Sequence, residues 1–133
     1  MEVKERIREK IEFAKERTLI LENAFSRGFR SELEKLGAFK LFQEIVESLF
    51  DAIALYLKSK GLEVKDRYSN VQTLFELQEI SEEEKQHLVE ANGLRNWIIH
   101  RYNKISEEKA IDSMKKLLPF LRKISERFER WTK

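Results

Sequence analysis

Apolar residues recur at steps of three and four along most of this 133-residue chain, which is the spacing of one face of an α-helix. Breaks in the pattern divide the chain into five predicted helices. They cover about residues 2–26, 31–60 and 69–79, then a fourth from Ser81 to about Tyr102, and a fifth from Ser106 through Trp131. Four glycines and one proline are few helix breakers, so the pattern predicts an all-α, up-down bundle of about five helices.

Small and polar residues mark the predicted helix ends. Gly28 and Gly61 end the first two helices, because glycine adopts the left-handed conformation of a C-cap without steric cost. Ser31 and Ser81 are predicted N-caps, and a glutamate three residues after each completes a capping box. Ser106 is the predicted N-cap of the fifth helix.

Two residues interrupt otherwise regular helices. Gly93 lowers helix stability by about 1 kcal/mol relative to alanine, which suggests close approach of another backbone or a ligand. Pro119 lies inside the fifth helix and is expected to kink or locally open it. The short third helix has a predicted buried side formed by Val71, Leu74, Phe75 and Leu77.

The second helix is apolar over more than one face from Ala38 to Leu57. Such a helix either lies at the centre of a bundle or is shared between the core and a partner chain; we interpret it as a sign of a homodimer. Three acidic residues, Glu44, Glu47 and Asp51, recur on this helix at near-helical spacing. They line a solvated edge, or one of them faces a functional site.

Composition narrows the class of protein. A length of 133 residues is enough for one domain (residues 1–133) with one core. With 26 basic and 24 acidic residues, the net charge of +2 is too balanced to indicate nucleic-acid binding by itself. The absence of cysteine excludes disulfides and thiolate chemistry and agrees with a reducing compartment. No segment has the roughly 20 apolar residues of a membrane span, and no signal peptide is recognisable, so we expect a cytoplasmic protein.

The segment from Gly93 to Tyr102 combines polar groups in a way that no other segment does. If the helix continues to Tyr102, Asn96 and His100 lie one turn apart, and Arg95 and Tyr102 lie on the adjoining face. Together these four side chains are predicted to form one polar wall, while Leu94, Ile98 and part of Trp97 point into the core.

This polar wall contains groups suited to phosphate chemistry. Arginine binds phosphate oxygens through a forked, permanently charged donor, and histidine transfers protons near neutral pH. With Arg101 and Lys104 nearby, the local charge is positive. These groups suffice for metal-independent RNA cleavage, in which the 2′-hydroxyl attacks phosphorus, His100 moves the proton and Arg95 stabilises the developing charge. One histidine is too few for both acid and base, so a two-fold dimer would complete the site.

Two other interpretations of these residues remain open. A histidine at a helix C-terminus often only complements the helix dipole, and its neighbours then serve as capping and rim contacts. Metal binding is disfavoured because His87 and His100 are far apart and no His–Glu pair has ligand spacing. We therefore predict neither a metal site nor a cofactor.

The motif Gly-Leu-Arg-Asn-x-x-x-His-x-Tyr, here Gly93 to Tyr102, resembles the signature of the HEPN superfamily and, within it, of the HepT-like toxins. The resemblance implies a small helical homodimer with a ribonuclease site at the dimer cleft, encoded beside a minimal nucleotidyltransferase (MntA-like) antitoxin. It implies that Arg95 and His100 form the catalytic pair and that Asn96 is the polar residue beside it. Tyr102 matches the tyrosine to which the antitoxin attaches AMP.

The resemblance also has departures and alternatives. Arg101 and Ser106 stand where acidic residues are common, whereas Asp51 resembles an acidic position in the second helix of the family. We assign Arg101, Lys104 and Asp51 to substrate binding. The alternative is a non-catalytic HEPN dimer that binds a nucleotide or substrate beside its nucleotidyltransferase, and a third possibility is a structural dimer without a site.

Overall fold

The computed structural model describes residues 2–133, so Met1 of the predicted domain lies outside the described residues. Five α-helices follow one another, and a 3-10 turn, Glu129–Thr132, closes the chain. The helices are α1 (Val3–Arg27), α2 (Glu32–Ser59), α3 (Arg67–Glu76), α4 (Glu82–His100) and α5 (Glu107–Phe128). No strand occurs in residues 2–133, which confirms the predicted all-α fold of five helices.

Helix α2 lies at the centre of the bundle. It packs against α1, α3 and α4, and most of its apolar side chains are buried within this one chain. Phe42, Ile45, Leu49, Ile53 and Leu57 are completely shielded from solvent. Because α2 lies at the centre of a single chain, its wide apolar surface is already explained. This surface therefore does not indicate a partner chain. The homodimer stays a prediction that needs other support.

Helix α5 and the closing turn complete the core. Met114, Leu121 and Phe128 are buried, and the Trp131 ring stacks on Phe128 with the ring centroids 4.0 Å apart. The helix continues through Pro119 to Phe128, so the proline does not end it. These contacts attach the C-terminus to the bundle.

The helix caps agree with the sequence only in part. Ser81 and Glu84 form the complete capping box. At α2, Ser31 accepts from the Glu34 backbone N–H, but the Glu34 carboxylate accepts from the Arg30 N–H at 2.7 Å, so the predicted box is only half formed.

Ser106 occupies the N-cap position of α5, as predicted, but its side chain makes no capping hydrogen bond. The nearby side-chain bond is made by Asn103, whose oxygen accepts from the Ser106 backbone N–H at 2.9 Å. Asn103 thus closes the turn that leads into α5 and does not cap the helix itself.

Helix α3 begins and ends earlier than predicted. Asp66 caps it by accepting from the Ser69 backbone N–H at 2.9 Å, which places the helix start at Arg67. The helix ends before Gln78, whose φ of 61° lies in the left-handed region. Leu77 therefore falls outside the helix and is 47% exposed, so its predicted burial is wrong.

Among the helices described for residues 2–133, none is both long enough and apolar enough to cross a membrane.

Candidate active site at the end of α4

The last turns of α4 separate an apolar side from a polar one, as predicted. Leu94, Trp97 and Ile98 pack against the core, whereas Asn96 and His100 are exposed. The helix ends at His100, where the Arg101 backbone N–H donates to the Trp97 carbonyl at 2.9 Å. His100 thus occupies the last helical position, with its side chain at the surface.

Arg95 is held by a carboxylate from the central helix. Its Nε and Nη2 atoms donate to the same Glu47 oxygen, at 3.0 and 2.6 Å. Both side chains are partly buried, with 19% of Arg95 and 30% of Glu47 exposed. Partial burial raises the pKa of Glu47, but the hydrogen bonds and charge of Arg95 outweigh that effect and hold it below its usual value.

Of the three acidic residues on α2, Glu47 is therefore the one that faces the site. The other two pair with α1: Glu44 contacts Arg17 at 3.6 Å, and Asp51 contacts Lys10 at 3.0 Å. Asp51, assigned to substrate binding from the resemblance, makes its ion pair with α1 and not with Arg95.

Arg67, the first residue of α3, is a second arginine in this region that the sequence analysis missed. It packs over the Phe50 ring with 5.8 Å between the guanidinium carbon and the ring centroid. The pKa of Arg67 lies below its usual value, because burial and the nearby charge of Arg95 lower it more than Glu47 and Asp51 raise it. Nothing in the spacing of the sequence signals this residue, because it reaches the site from a different helix.

Asn96 and His100 form the exposed part of the site. The Asn96 side-chain oxygen accepts from Arg95 Nη1 at 3.1 Å, so Asn96 steadies the guanidinium on the side away from Glu47. His100 follows one turn later and makes no side-chain hydrogen bond to the other residues in 2–133. Its imidazole nitrogens are thus open to a substrate.

Tyr102 does not continue the polar wall as predicted, because α4 ends two residues before it. Its ring turns back onto Phe39 and Trp97, with centroid separations of 5.6 and 5.3 Å. Its hydroxyl donates to a carboxylate oxygen of Glu107, the first residue of α5. This hydrogen bond, with a smaller effect of burial, raises the pKa of Tyr102 to about 12.

The cationic residues of the following loop have different surroundings. Lys104 pairs with Glu32 at 2.7 Å, and that contact raises the pKa of Lys104. Arg101 is exposed and has no ion pair with the residues in 2–133. Of the two predicted substrate-binding cations, Arg101 is therefore the one whose charge is uncompensated.

Gly93 has no close neighbour within the chain. A Cβ built at this position would meet no atom within 4 Å, so the close approach predicted from this glycine does not come from the chain itself. Gly93, Asn96 and His100 share one side of α4 by helical spacing. At Gly93, this side of α4 is not covered by other parts of residues 2–133.

The second histidine lies elsewhere. His87 stacks on Phe120 with 3.7 Å between ring centroids, in a cleft of about 590 Å³ between α4 and α5. Thirteen residues of helix separate it from His100, roughly 20 Å along the axis. Among residues 2–133, no three His, Asp or Glu side chains are grouped so that they could hold a metal ion.

Comparison with known proteins identifies relatives over nearly the whole chain. Residues 7–128 match the family described as Ribonuclease HepT-like. A protein of Archaeoglobus fulgidus named "Putative RNase" is 36% identical over 126 residues, which cover 95% of this chain and 92% of that protein. A similarly named protein of Methanocaldococcus jannaschii is 38% identical over 63 residues, covering 47% of this chain and 72% of the relative.

Proposed function

The chain belongs to the family of HepT-like ribonucleases, and from this premise we propose that it is an endoribonuclease toxin that cuts RNA without a metal ion. The observation that carries the proposal is the pairing of Arg95, held in place by Glu47, with an exposed His100 five residues later on the same helix. We place this activity in the cytoplasm, where its RNA substrate is found.

The proposed reaction is an internal transesterification. The 2′-hydroxyl of RNA attacks the adjacent phosphorus, His100 accepts its proton, and the bond to the 5′-oxygen breaks. The products are a 2′,3′-cyclic phosphate and a 5′-hydroxyl. Arg95 stabilises the charge that develops on the phosphate oxygens, and Asn96 and Arg101 contact neighbouring parts of the strand.

The leaving 5′-oxygen must gain a proton, and we propose that a second copy of the chain supplies it from its own His100. We place Ile99, which is 37% exposed between the polar residues of the site, at the edge of this contact. The open side of α4 at Gly93 leaves room for another helix to approach. The proposed cleft therefore forms between two copies of α4.

We also propose that a minimal nucleotidyltransferase of the MntA type acts as antitoxin by attaching AMP to Tyr102. Tyr102 is 37% exposed and lies two residues after His100, so an added nucleotide would lie at the same end of α4 as the imidazole. Mass spectrometry after co-expression should find added AMP mass on the peptide that contains Tyr102. Tyr102→Phe should remove that mass, and labelling that persists in this variant would reject Tyr102 as the site.

The test of the nuclease is RNA cleavage by the purified protein in EDTA. We expect His100→Ala to reduce cleavage by about 10²- to 10⁴-fold, the usual contribution of general acid–base catalysis. His87→Ala is the matched control, because it removes the other histidine of the same helix, and it should retain activity. Equal activity of the wild type and His100→Ala would reject the role of His100. An inert wild type that still binds a nucleotide would favour the non-catalytic partner subunit.

A further inference from the structure

The hydroxyl of Tyr102 is held in one orientation by three elements. Its ring is packed by Phe39 of α2 and Trp97 of α4, and its oxygen donates to Glu107 at the start of α5. A phenol has one O–H donor and two acceptor lone pairs. Because the hydrogen points toward Glu107, the lone pairs point away from that carboxylate and are free to attack an electrophile.

Glu107 lies between the start of α5 and a lysine of α2. The residue is only 5% exposed, yet it occupies the first turn of α5, where the partial positive charge of the helix N-terminus favours an anion. Lys35 of α2 lies 3.7 Å from its other oxygen. A buried carboxylate that accepts a hydrogen bond from the Tyr102 hydroxyl is in place to accept its proton.

We propose that Glu107 is the proton acceptor when Tyr102 is nucleotidylated. This inference rests on the proposed modification and assigns a residue of the chain itself to it. The Tyr102 oxygen attacks the α-phosphorus of a nucleoside triphosphate, the O–H bond breaks as the O–P bond forms, and pyrophosphate leaves. The proton passes to the Glu107 carboxylate, so each transfer yields one nucleotidyl ester, one pyrophosphate and one protonated Glu107.

The same proton transfer makes the product compatible with its surroundings. The esterified oxygen of Tyr102 can no longer donate, and its phosphodiester is negative. A Glu107 carboxylate left charged would repel that group, whereas the carboxylic acid formed in the step can donate to it. The other charged groups here are Glu32 and Lys35 of α2 and Lys104 of the loop, with Glu32 and Lys104 paired at 2.7 Å.

An activated AMP donor tests this role without any partner protein. Adenosine 5′-phosphorimidazolide transfers AMP to a hydroxyl as its P–N bond breaks and imidazole leaves. The rate of labelling at Tyr102 is measured by peptide mass spectrometry for the wild type, Glu107→Gln and Glu108→Gln. Glu108 is an exposed carboxylate in the same helical turn and serves as the matched control. Urea unfolding of each variant excludes loss of fold as the cause.

We expect Glu107→Gln to label at least tenfold more slowly and Glu108→Gln to label like the wild type. Glu107→Gln removes the contact that raises the pKa of Tyr102, so in this variant the phenol should ionise nearer its ordinary pKa of about 10. The deficit should therefore shrink as the pH rises toward that value, because a phenolate needs no proton acceptor. Glu107→Asp should recover part of the rate. Equal rates in the wild type and Glu107→Gln, or no label on Tyr102 of the wild type, would overturn the proposal. If labelling depends on Glu107 but no co-expressed nucleotidyltransferase modifies the protein, the role of Glu107 stands and the proposed antitoxin is rejected.

Discussion

In the proposed reaction, Arg95 meets two requirements that conflict in most surface arginines, because it would have to keep a fixed orientation and still attract phosphate. The Glu47 carboxylate fixes the guanidinium through two donors but also compensates its charge. Since the pKa of Glu47 lies below its ordinary value, the stabilisation from this pair is present at neutral pH and is lost as the pH falls through that lowered pKa. Orientation is thus maintained wherever the proposed reaction would operate.

This balance predicts a specific kinetic effect for Glu47→Gln. The amide keeps one acceptor for Arg95 but removes the competing charge, so we expect kcat for RNA cleavage to fall about tenfold, the effect of a misplaced catalytic group, while KM stays equal or falls. Steady-state cleavage of a short RNA measures both constants.

Glu44→Gln is the matched control for Glu47→Gln, because Glu44 lies on the same helix and pairs with Arg17 of α1. It should leave both constants unchanged. An increase in KM with an unchanged kcat would show that Glu47 contributes to RNA binding and does not position Arg95.

At the level of helices, the position where α4 ends and α5 begins decides which residues the site contains. Ending α4 at His100 frees Tyr102 to turn back onto Phe39 and contact Glu107. The turn that follows is closed by Asn103, and the Lys104–Glu32 pair attaches it to α2. The turn before α5 therefore supports the position of both Tyr102 and Glu107.

The turn before α5 makes a prediction that differs from the sequence-based one. Asn103→Ala should lower the free energy of unfolding by about 1 kcal/mol, because it removes the acceptor for the Ser106 backbone N–H. Ser106→Ala should be nearly neutral, since its hydroxyl makes no capping bond. Urea denaturation of the two variants measures both effects, and a larger loss in Ser106→Ala would contradict the observed geometry.

The sequence predicted the helices well because their signals are local. Helical periodicity located all five helices, and the capping box of Ser81 and Glu84 correctly predicted the residue at which α4 begins. The partners of Arg95 and Tyr102 were not predictable in the same way, because Glu47 and Glu107 reach them from other helices. Periodicity identified Glu47 as one of three acidic candidates on α2, but only the packing of α2 against α4 selects it.

Across the whole molecule, the chain buries its core without a partner. Twelve residues of α2 are buried inside the bundle, so the core of the monomer is complete. Any dimer must therefore use surface that the bundle leaves exposed. Next to the proposed site that surface is the side of α4 where Gly93, Asn96 and His100 are exposed, with Ile99 at its edge. Such a dimer would serve catalysis more than folding.

We expect each protomer to stay folded when the dimer is broken. Ile99→Glu should place a charge in the proposed contact, so the protein should sediment at the 16.0 kDa of one protomer, whereas the wild type should sediment at twice that mass. Cleavage should fall at least tenfold, because each proposed site would lose its second histidine. The urea midpoint of the variant should match that of the wild type diluted until it is monomeric, because Ile99 is 37% exposed in one protomer and a dimer adds stability of its own.

Leu19→Glu is the control for Ile99→Glu, since Leu19 is 60% exposed on α1, and it should leave both mass and cleavage unchanged. A wild type that cleaves RNA as a monomer at catalytic concentrations would contradict the shared cleft. In that case the second proton-transfer group would have to come from the same chain. His87, roughly 20 Å from His100 along α4, is too distant to supply it.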